Sequence, residues 1–339
     1  MRLPKRGKQA LFAYDFEQPV RELDDQIEQL REEASQEGQQ QGPVADRIRE
    51  LEERRDKLLM EIVANLTPYQ RVKLARHPLR PQSLDYIAEI FDEFIELHGD
   101  RRFGDDKAIV TGLARLDEHR LMLIAQQKGR DTREKMERNF GMPNPEGYRK
   151  ALAKMGCAEK FGLPVVSLID TPGAAPAVEA EERGQAMAIA ENILCMCGLR
   201  TPIVIIVTGE GCSGGALGIG VGDRFAMLEN AYYAVISPEG CAAILWRDAE
   251  KADMAAAAMK LTAQEMLKLG IIDEIIKEPL GGAHRNPKEA ADNISAYLRR
   301  TLEELVRIPI DELLEKRYTR YRQLGAHVSG PDAGPTAPA

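Results

Sequence analysis

Residues 201–223 read TPIVIIVTGEGCSGGALGIGVGD. The run IVIIV is continuously apolar rather than alternating, the pattern of a strand covered on both faces. It leads into Gly209, Gly211, Gly214, Gly215 and Gly218, and then into small residues that predict the start of a helix. Glycines at a strand-to-helix junction let backbone N–H groups approach a ligand with no Cβ in the way, and a helix N-terminus adds about half a positive charge. The stretch predicts a buried strand ending in an anion or oxyanion site.

Upstream, VVSLIDTPGAAPAVEAEERGQAMAIAENI (165–193) repeats the design. A buried strand turns at Asp170-Thr171-Pro172-Gly173 and enters a helix whose first turns carry Glu179, Glu181 and Glu182, acids that favour a helix N-terminus. Two successive junctions point backbone groups at one end of a sheet, where ligands bind in α/β folds. Further β-type runs at 108–116, 120–126 and 232–236 alternate with longer helical stretches, so an α/β core is expected from about residue 84 to about 318. Ile87, Ile90, Phe91, Phe94 and Leu97 predict a helix at its start. Before it, Val20, Leu23, Ile27 and Leu30 form one apolar stripe and Ile48, Leu51, Leu58 and Ile62 a second, with EGQQQGP (37–43) breaking the chain between them. The expected organisation is an arm at 1–16, a helical hairpin at 17–83 that is either a structural or a subunit-docking arm, an α/β domain at 84–325 and a disordered tail at 326–339.

Composition narrows the function. In 339 residues, 46 Lys and Arg face 54 Asp and Glu, a net charge of −8, which argues against a general nucleic-acid binder. Apolar runs such as 163–169 and 202–207 fall far short of the ~18 residues of a membrane span, and the N-terminus lacks the apolar stretch of a secretory signal. A cytoplasmic protein away from membranes is expected. Cys157, Cys195, Cys197, Cys212 and Cys241 form no CxxC pair and no zinc spacing, so free thiols and no metal on this chain are expected.

Three chemical readings compete at the glycine-rich turn. Gly209, Gly211 and Gly214 spell the dinucleotide fingerprint, but only about eight residues separate Gly214 from Gly222 and Asp223, too few for a full crossover helix. Gly211, Ser213 and Gly215 spell the serine hydrolase elbow, with Asp273 and His284 following in the required order. Against it, Asp273 sits in an apparent edge strand and His284 only 11 residues beyond. The third reading uses the amides of Gly214 and Gly215 themselves as donors to an oxygen that becomes enolate-like. Separately, residues 127–150 concentrate Lys128, Arg130, Arg133, Lys135, Arg138, Arg149 and Lys150, either a solvated charged helix or a site for phosphates or an acidic partner.

DDKAIVTGLARL, QKGRDTREKMERNFGMPNPEGYRKAL, IDTPGA with AEERGQ, GEGCSGGALGIGVGD, ISPEGCAAILW and EPLGGAHRNP together resemble the carboxyltransferase alpha-subunit family of bacterial acetyl-CoA carboxylase. The resemblance covers residues 15 to about 321 and implies a crotonase-like fold of ββα units with the hairpin joining subunits. It implies transfer of a carboxyl group from carboxybiotin, held on the biotin carboxyl carrier protein, to acetyl-CoA, giving malonyl-CoA for fatty-acid synthesis. It also implies an α2β2 assembly with a zinc-bearing beta subunit, working with biotin carboxylase. By that resemblance Gly214 and Gly215 hold the biotin ureido oxygen, with Gly173, Ala174, Gly211, Cys212 and Ser213 on the biotin side. Lys128, Arg130 and Arg133 become possible contacts for a CoA phosphate or a partner. The sequence departs from the family pattern at Cys212, Ala175, Ala177 and Glu179, which add side chains and remove an aromatic wall beside the site.

Overall fold

The computed structural model describes residues 13–36 and 42–325. Most of the expected arm, EGQQQ (37–41) of the expected chain break and the 326–339 tail lie outside the described residues. Helices α1 (Gln18–Gln36) and α2 (Pro43–Ala64) form the hairpin, with Leu23, Ile27 and Leu51 packed among Leu30, Ile48 and Leu58. It ends sooner than residue 83. Helix α3 (Pro68–Ala75) instead packs on the α/β body, where Val72 and Ala75 join Tyr232, Ala256 and Leu261, and α4 (Ser83–Ile90) enters the main core.

The helix expected through Phe94 and Leu97 stops at Ile90. Strand β1 (Glu93–Glu96) follows, antiparallel to β2 (Ile109–Leu116). The Phe94 ring covers Gly112, where a Cβ would come within 2.7 Å of two ring atoms, so tertiary packing overrides the helical spacing. Strand β3 (His119–Gln126) pairs antiparallel with β2. Helices α5 (Thr132–Glu137) and α6 (Pro145–Phe161) lead to β4 (Val165–Thr171), and α7 (Val178–Glu182) and α8 (Gln185–Gly198) lead to β5 (Ile203–Cys212). The short α9 (Ser213–Leu217) precedes β6 (Arg224–Leu228) and β7 (Tyr232–Ala234). Then come α10 (Pro238–Trp246), α11 (Ala252–Met259), α12 (Ala263–Lys268), β8 (Glu274–Ile276), α13 (Pro287–Leu305) and α14 (Ile310–Gln323). The sheet runs β1-β2-β3-β4-β5-β6-β8, parallel from β3 onward, with β7 beside the far half of β5. β6 was not expected from sequence, and β7 is shorter than the expected 232–236 run.

The join between the two halves of β5 positions the site. Ile169 pairs with Val207 and then Thr171 with Gly211, so β5 carries a bulge over residues 208–210. Asp170 repairs it: its carboxylate accepts the Glu210 N–H at 2.8 Å. The bend lets β5 change neighbours, with residues 204–207 pairing β6 and residues 210–212 pairing β7. At the other end of the sheet, buried Arg317 of α14 grips both carboxylate oxygens of Asp223 at 2.8 and 2.7 Å and donates to the carbonyls of Met196, Leu199 and Thr201. No helix among the described residues is long and apolar enough to cross a membrane.

Candidate active site

The ends of β4 and β5 lie side by side, and the chain leaves β5 through Ser213, a non-glycine residue at φ 58° that is exposed at the turn. Gly214 is half-buried and Gly215 buried. The Gly214 carbonyl accepts the Gly218 N–H at 2.9 Å. Because the peptide is trans, the N–H of Gly215 points the opposite way, out of the open start of α9. A Cβ on Gly215 would sit 2.6 Å from the Ala174 nitrogen and 2.8 Å from Gly173 Cα, whereas one on Gly214 would meet only Ile189 Cδ1 at 3.4 Å. Only glycine lets the two loops touch backbone to backbone at position 215.

The Gly173 loop is fixed in turn. Thr171 Oγ1 lies 2.6 Å from the Gly141 carbonyl and accepts the Gly173 N–H at 3.1 Å. The Ala175 N–H donates to the Pro143 carbonyl at 3.0 Å, and Gln185 Nε2 donates to the carbonyls of Pro143 and Ala175. Gly173, Ala174, Gly214 and Gly215 are thus brought together. Gly211 and Cys212 occupy the last positions of β5, against Tyr233 and Ala234. The Cys212 thiol faces inward, and burial with Glu210 nearby pushes it up to about 11, so it is neutral at physiological pH.

A buried ion cluster underlies this turn. Lys128 Nζ lies 2.6 Å from Asp170 and 2.7 Å from Glu210, and Glu210 also binds Arg76 at 2.7 Å and the Tyr232 hydroxyl at 2.6 Å. Burial alone would raise the Glu210 carboxyl, but Lys128 and Arg76 outweigh it and hold it at about 2. Lys128 is likewise pulled up against its own burial by Asp170 and Glu210. This corrects its expected role: Lys128 is committed inside and is not a phosphate contact. Arg130, Arg133 and Lys135 are exposed; Arg130 pairs with Asp85, and Arg133 lies 3.3 Å from Glu137. Arg149 and Lys150 turn inward to Asp100 and Asp105. The basic stretch is mostly neutralised in place.

The hydrolase partners are also committed elsewhere. Asp273 accepts the Phe225 N–H at 2.7 Å and pairs with Arg320. His284 bonds Glu17 at 3.1 Å and stacks on His77 with ring centroids 3.9 Å apart. Glu17, His77 and His284 bring three ligand-type atoms within 4.8 Å of one another. A metal lies in the plane of each imidazole it binds, and rings stacked at 22° to each other do not offer a shared position. His77 Nδ1 moreover accepts the Leu79 N–H, which places the proton of the neutral ring on Nε2. The cluster ties the entrance of the hairpin to the body.

A family model described as acetyl co-enzyme A carboxylase carboxyltransferase-like matches residues 13–325. The chain belongs to the acetyl-CoA carboxylase carboxyltransferase family. It is 54% identical to the acetyl-coenzyme A carboxylase carboxyl transferase subunit alpha of Methylococcus capsulatus, covering 92% of this chain and 97% of that one. The Geobacter metallireducens alpha subunit is 53% identical over the same shares. Among solved structures, a transcarboxylase 12S core aligns at TM-score 0.53 and 22% identity over 65% of this chain and 41% of that one. The beta subunit of Pseudomonas aeruginosa geranyl-CoA carboxylase aligns at 0.53 and 18% over 73% and 46%. The acetyl-CoA carboxylase carboxyltransferase chain therefore has the crotonase-like fold.

Sequence reasoning about this carboxyltransferase chain missed the residues that hold the turn from behind. Gln126 Nε2 and the Tyr148 hydroxyl both reach the Gly215 carbonyl, at 2.8 and 3.3 Å. Asn192 Nδ2 donates to the carbonyls of Tyr148 and Gly218. The available signals were a Gln-Gln pair closing the apolar run LMLIA and a lone Asn inside the apolar helix α8.

Proposed function

We propose that this chain is the alpha subunit of acetyl-CoA carboxylase carboxyltransferase, transferring the carboxyl group of carboxybiotin to acetyl-CoA to form malonyl-CoA. The observation that carries the reading is the glycine turn at the ends of β4 and β5. There Gly215 is packed against Gly173 and Ala174 while its N–H points out of the helix start. Carboxybiotin on its carrier supplies the carboxyl group; this chain supplies backbone N–H donors from Gly214 and Gly215 to the ureido oxygen as it gains negative charge. Donors of this kind are worth about 2.7–4 kcal/mol each, and they act without a side-chain nucleophile. Gly173, Ala174, Gly211, Cys212 and Ser213 line the turn on the biotin side. Arg130 and Arg133, with the exposed Lys135 beside them, are the outward cations left for a CoA phosphate or an acidic partner.

The proposed partners are a beta subunit in an α2β2 assembly, the biotin carboxyl carrier protein and biotin carboxylase, in the cytoplasm. Helix α8 exposes Met187 and Leu194, and α10 exposes Ile244 and Leu245, each more than 60% accessible. Apolar faces of this extent support burial against another chain. The test is reconstitution with a cognate beta chain, followed by malonyl-CoA formation from acetyl-CoA and the carboxylated carrier protein. Product formation is expected. A bound beta chain without product would make this a noncatalytic scaffold, and labelling of Ser213 by an active-site serine probe would favour the hydrolase.

A further inference from the structure

We infer that Gln126 is a positioning residue that sets the orientation of the Gly214–Gly215 donors, an inference that rests on the carboxyl-transfer reading. Gln126 closes β3 and is fully buried. Its Oε1 accepts the Asp170 N–H at 3.1 Å and its Nε2 donates to the Gly215 carbonyl at 2.8 Å. The amide orientation is fixed by these neighbours: a flipped amide would set donor against donor at Asp170 and acceptor against acceptor at Gly215. One side chain therefore links the end of β4, where the Gly173 loop begins, to the first turn of α9.

Among the described residues no backbone N–H outside α9 donates to the Gly215 carbonyl. Gly218 N–H goes to the Gly214 carbonyl and Ile219 N–H to the Ala216 carbonyl. Gly215 depends on Gln126 and, at the longer 3.3 Å, on Tyr148. Loss of the amide leaves a buried carbonyl short of its main donor, and the peptide must turn to recover one. The Gly215 carbonyl belongs to the Gly215–Ala216 peptide, so its turning changes ψ at Gly215 and shifts the preceding Gly214–Gly215 peptide, whose N–H works only when aimed at the developing charge.

The test uses the assembled alpha–beta enzyme carrying Gln126→Met or Gln126→Glu. Gln126→Met is expected to lower kcat about 10–100-fold, the scale of a misplacement of roughly 1 Å. KM for acetyl-CoA and for the carboxylated carrier should stay within about threefold, as for an interaction expressed mainly in the transition state. Gln126→Glu separates positioning from packing. Its carboxyl can donate to the Gly215 carbonyl only when protonated, so its kcat relative to wild type should climb as pH falls from about 8 to about 6, burial favouring the neutral form. The groups around it are the Tyr148 hydroxyl on the α6 side and Asp170, Glu210 and Lys128 at the strand ends. A Gln126→Met enzyme with wild-type kcat, or a pH-independent ratio for Gln126→Glu, overturns the inference. Should the wild-type complex form no malonyl-CoA, the carboxyl-transfer reading fails by itself. Positioning is then decided by hydrogen exchange of the Gly218 amide, which the Gly214 carbonyl holds and which should speed up about tenfold in Gln126→Met; unchanged exchange overturns it.

Discussion

Two adjacent glycines at the turn answer differently to the same added methyl group. At Gly214 a Cβ finds Ile189 Cδ1 at 3.4 Å, the end of a side chain able to give; at Gly215 it finds the backbone of Gly173 and Ala174. Gly214→Ala is therefore expected to keep its fold and a measurable rate. Gly215→Ala should lose about 10²–10³-fold in kcat, as when an oxyanion donor is removed, and Gly215→Val should abolish transfer. Steady-state malonyl-CoA formation by the two alanine variants checks this, and equal rates would contradict the geometry. The glycines were legible in the sequence because a run of them at a strand end has few other uses. Gln126, Tyr148 and Asn192 were not, since each acts on a carbonyl at least 26 residues away and nothing in local spacing marks such a contact. Lys128 was misjudged for the same reason: Asp170 and Glu210, which neutralise it, are distant in sequence.

Elements differ in how much of themselves they declare. Strands β4 and β5 were readable because strands covered on both faces become continuous apolar runs. β1 was not, because Phe91 and Phe94 fall three apart and imitate a helix until Gly112 receives the Phe94 ring. The β5 bulge was also hidden: its stabiliser, the Asp170 carboxylate, belongs to the neighbouring strand. Helix α14 offers a test at this scale. Arg317 makes every one of its anchoring contacts in the interior, to Asp223 and three carbonyls. Arg317→Met should destabilise the chain by about 3–5 kcal/mol, because it leaves the Asp223 charge buried and unpaired. Urea unfolding reads this directly. The double replacement Arg317→Met with Asp223→Asn should recover part of the loss, since the uncompensated charge is then removed.

Across the whole molecule, buried carboxylates set the response to acid. Burial would raise Glu210 and Glu278, but Lys128 and Arg76 in one case and Arg80 in the other hold both at about 2, below the ordinary 4.5. Between those values the unfolded chain binds protons that the folded chain refuses, so stability is fully present above about pH 4.5 and is lost as pH falls toward 2. Asp106 acts in the opposite sense, raised by burial to about 6, so its share declines as pH rises from 3.8 to 6. Asp100 and Asp105, also at about 2, side with the glutamates. Urea midpoints measured from pH 6 downward should therefore drop steeply on the acid side; a flat profile would mean these pairs do not form. The apolar faces of α8 and α10 make a parallel statement about association: the chain alone should self-associate or precipitate more readily than its complex, which light scattering can compare.

The backbone character of the glycine turn also bears on how such a protein can change over time. Peptide N–H groups are carried by every residue but proline, so the groups proposed to touch substrate cannot be lost by most substitutions. They can only be crowded or turned. Cys212 closes β5 just before the turn, and Ala175, Ala177 and Glu179 follow Gly173 and Ala174 into α7; sequence drift at these places leaves the peptide donors of Gly214 and Gly215 in the chain. Alanine scanning, which deletes atoms, would pass over the centre of this site, and substitutions that add atoms are the ones that find it.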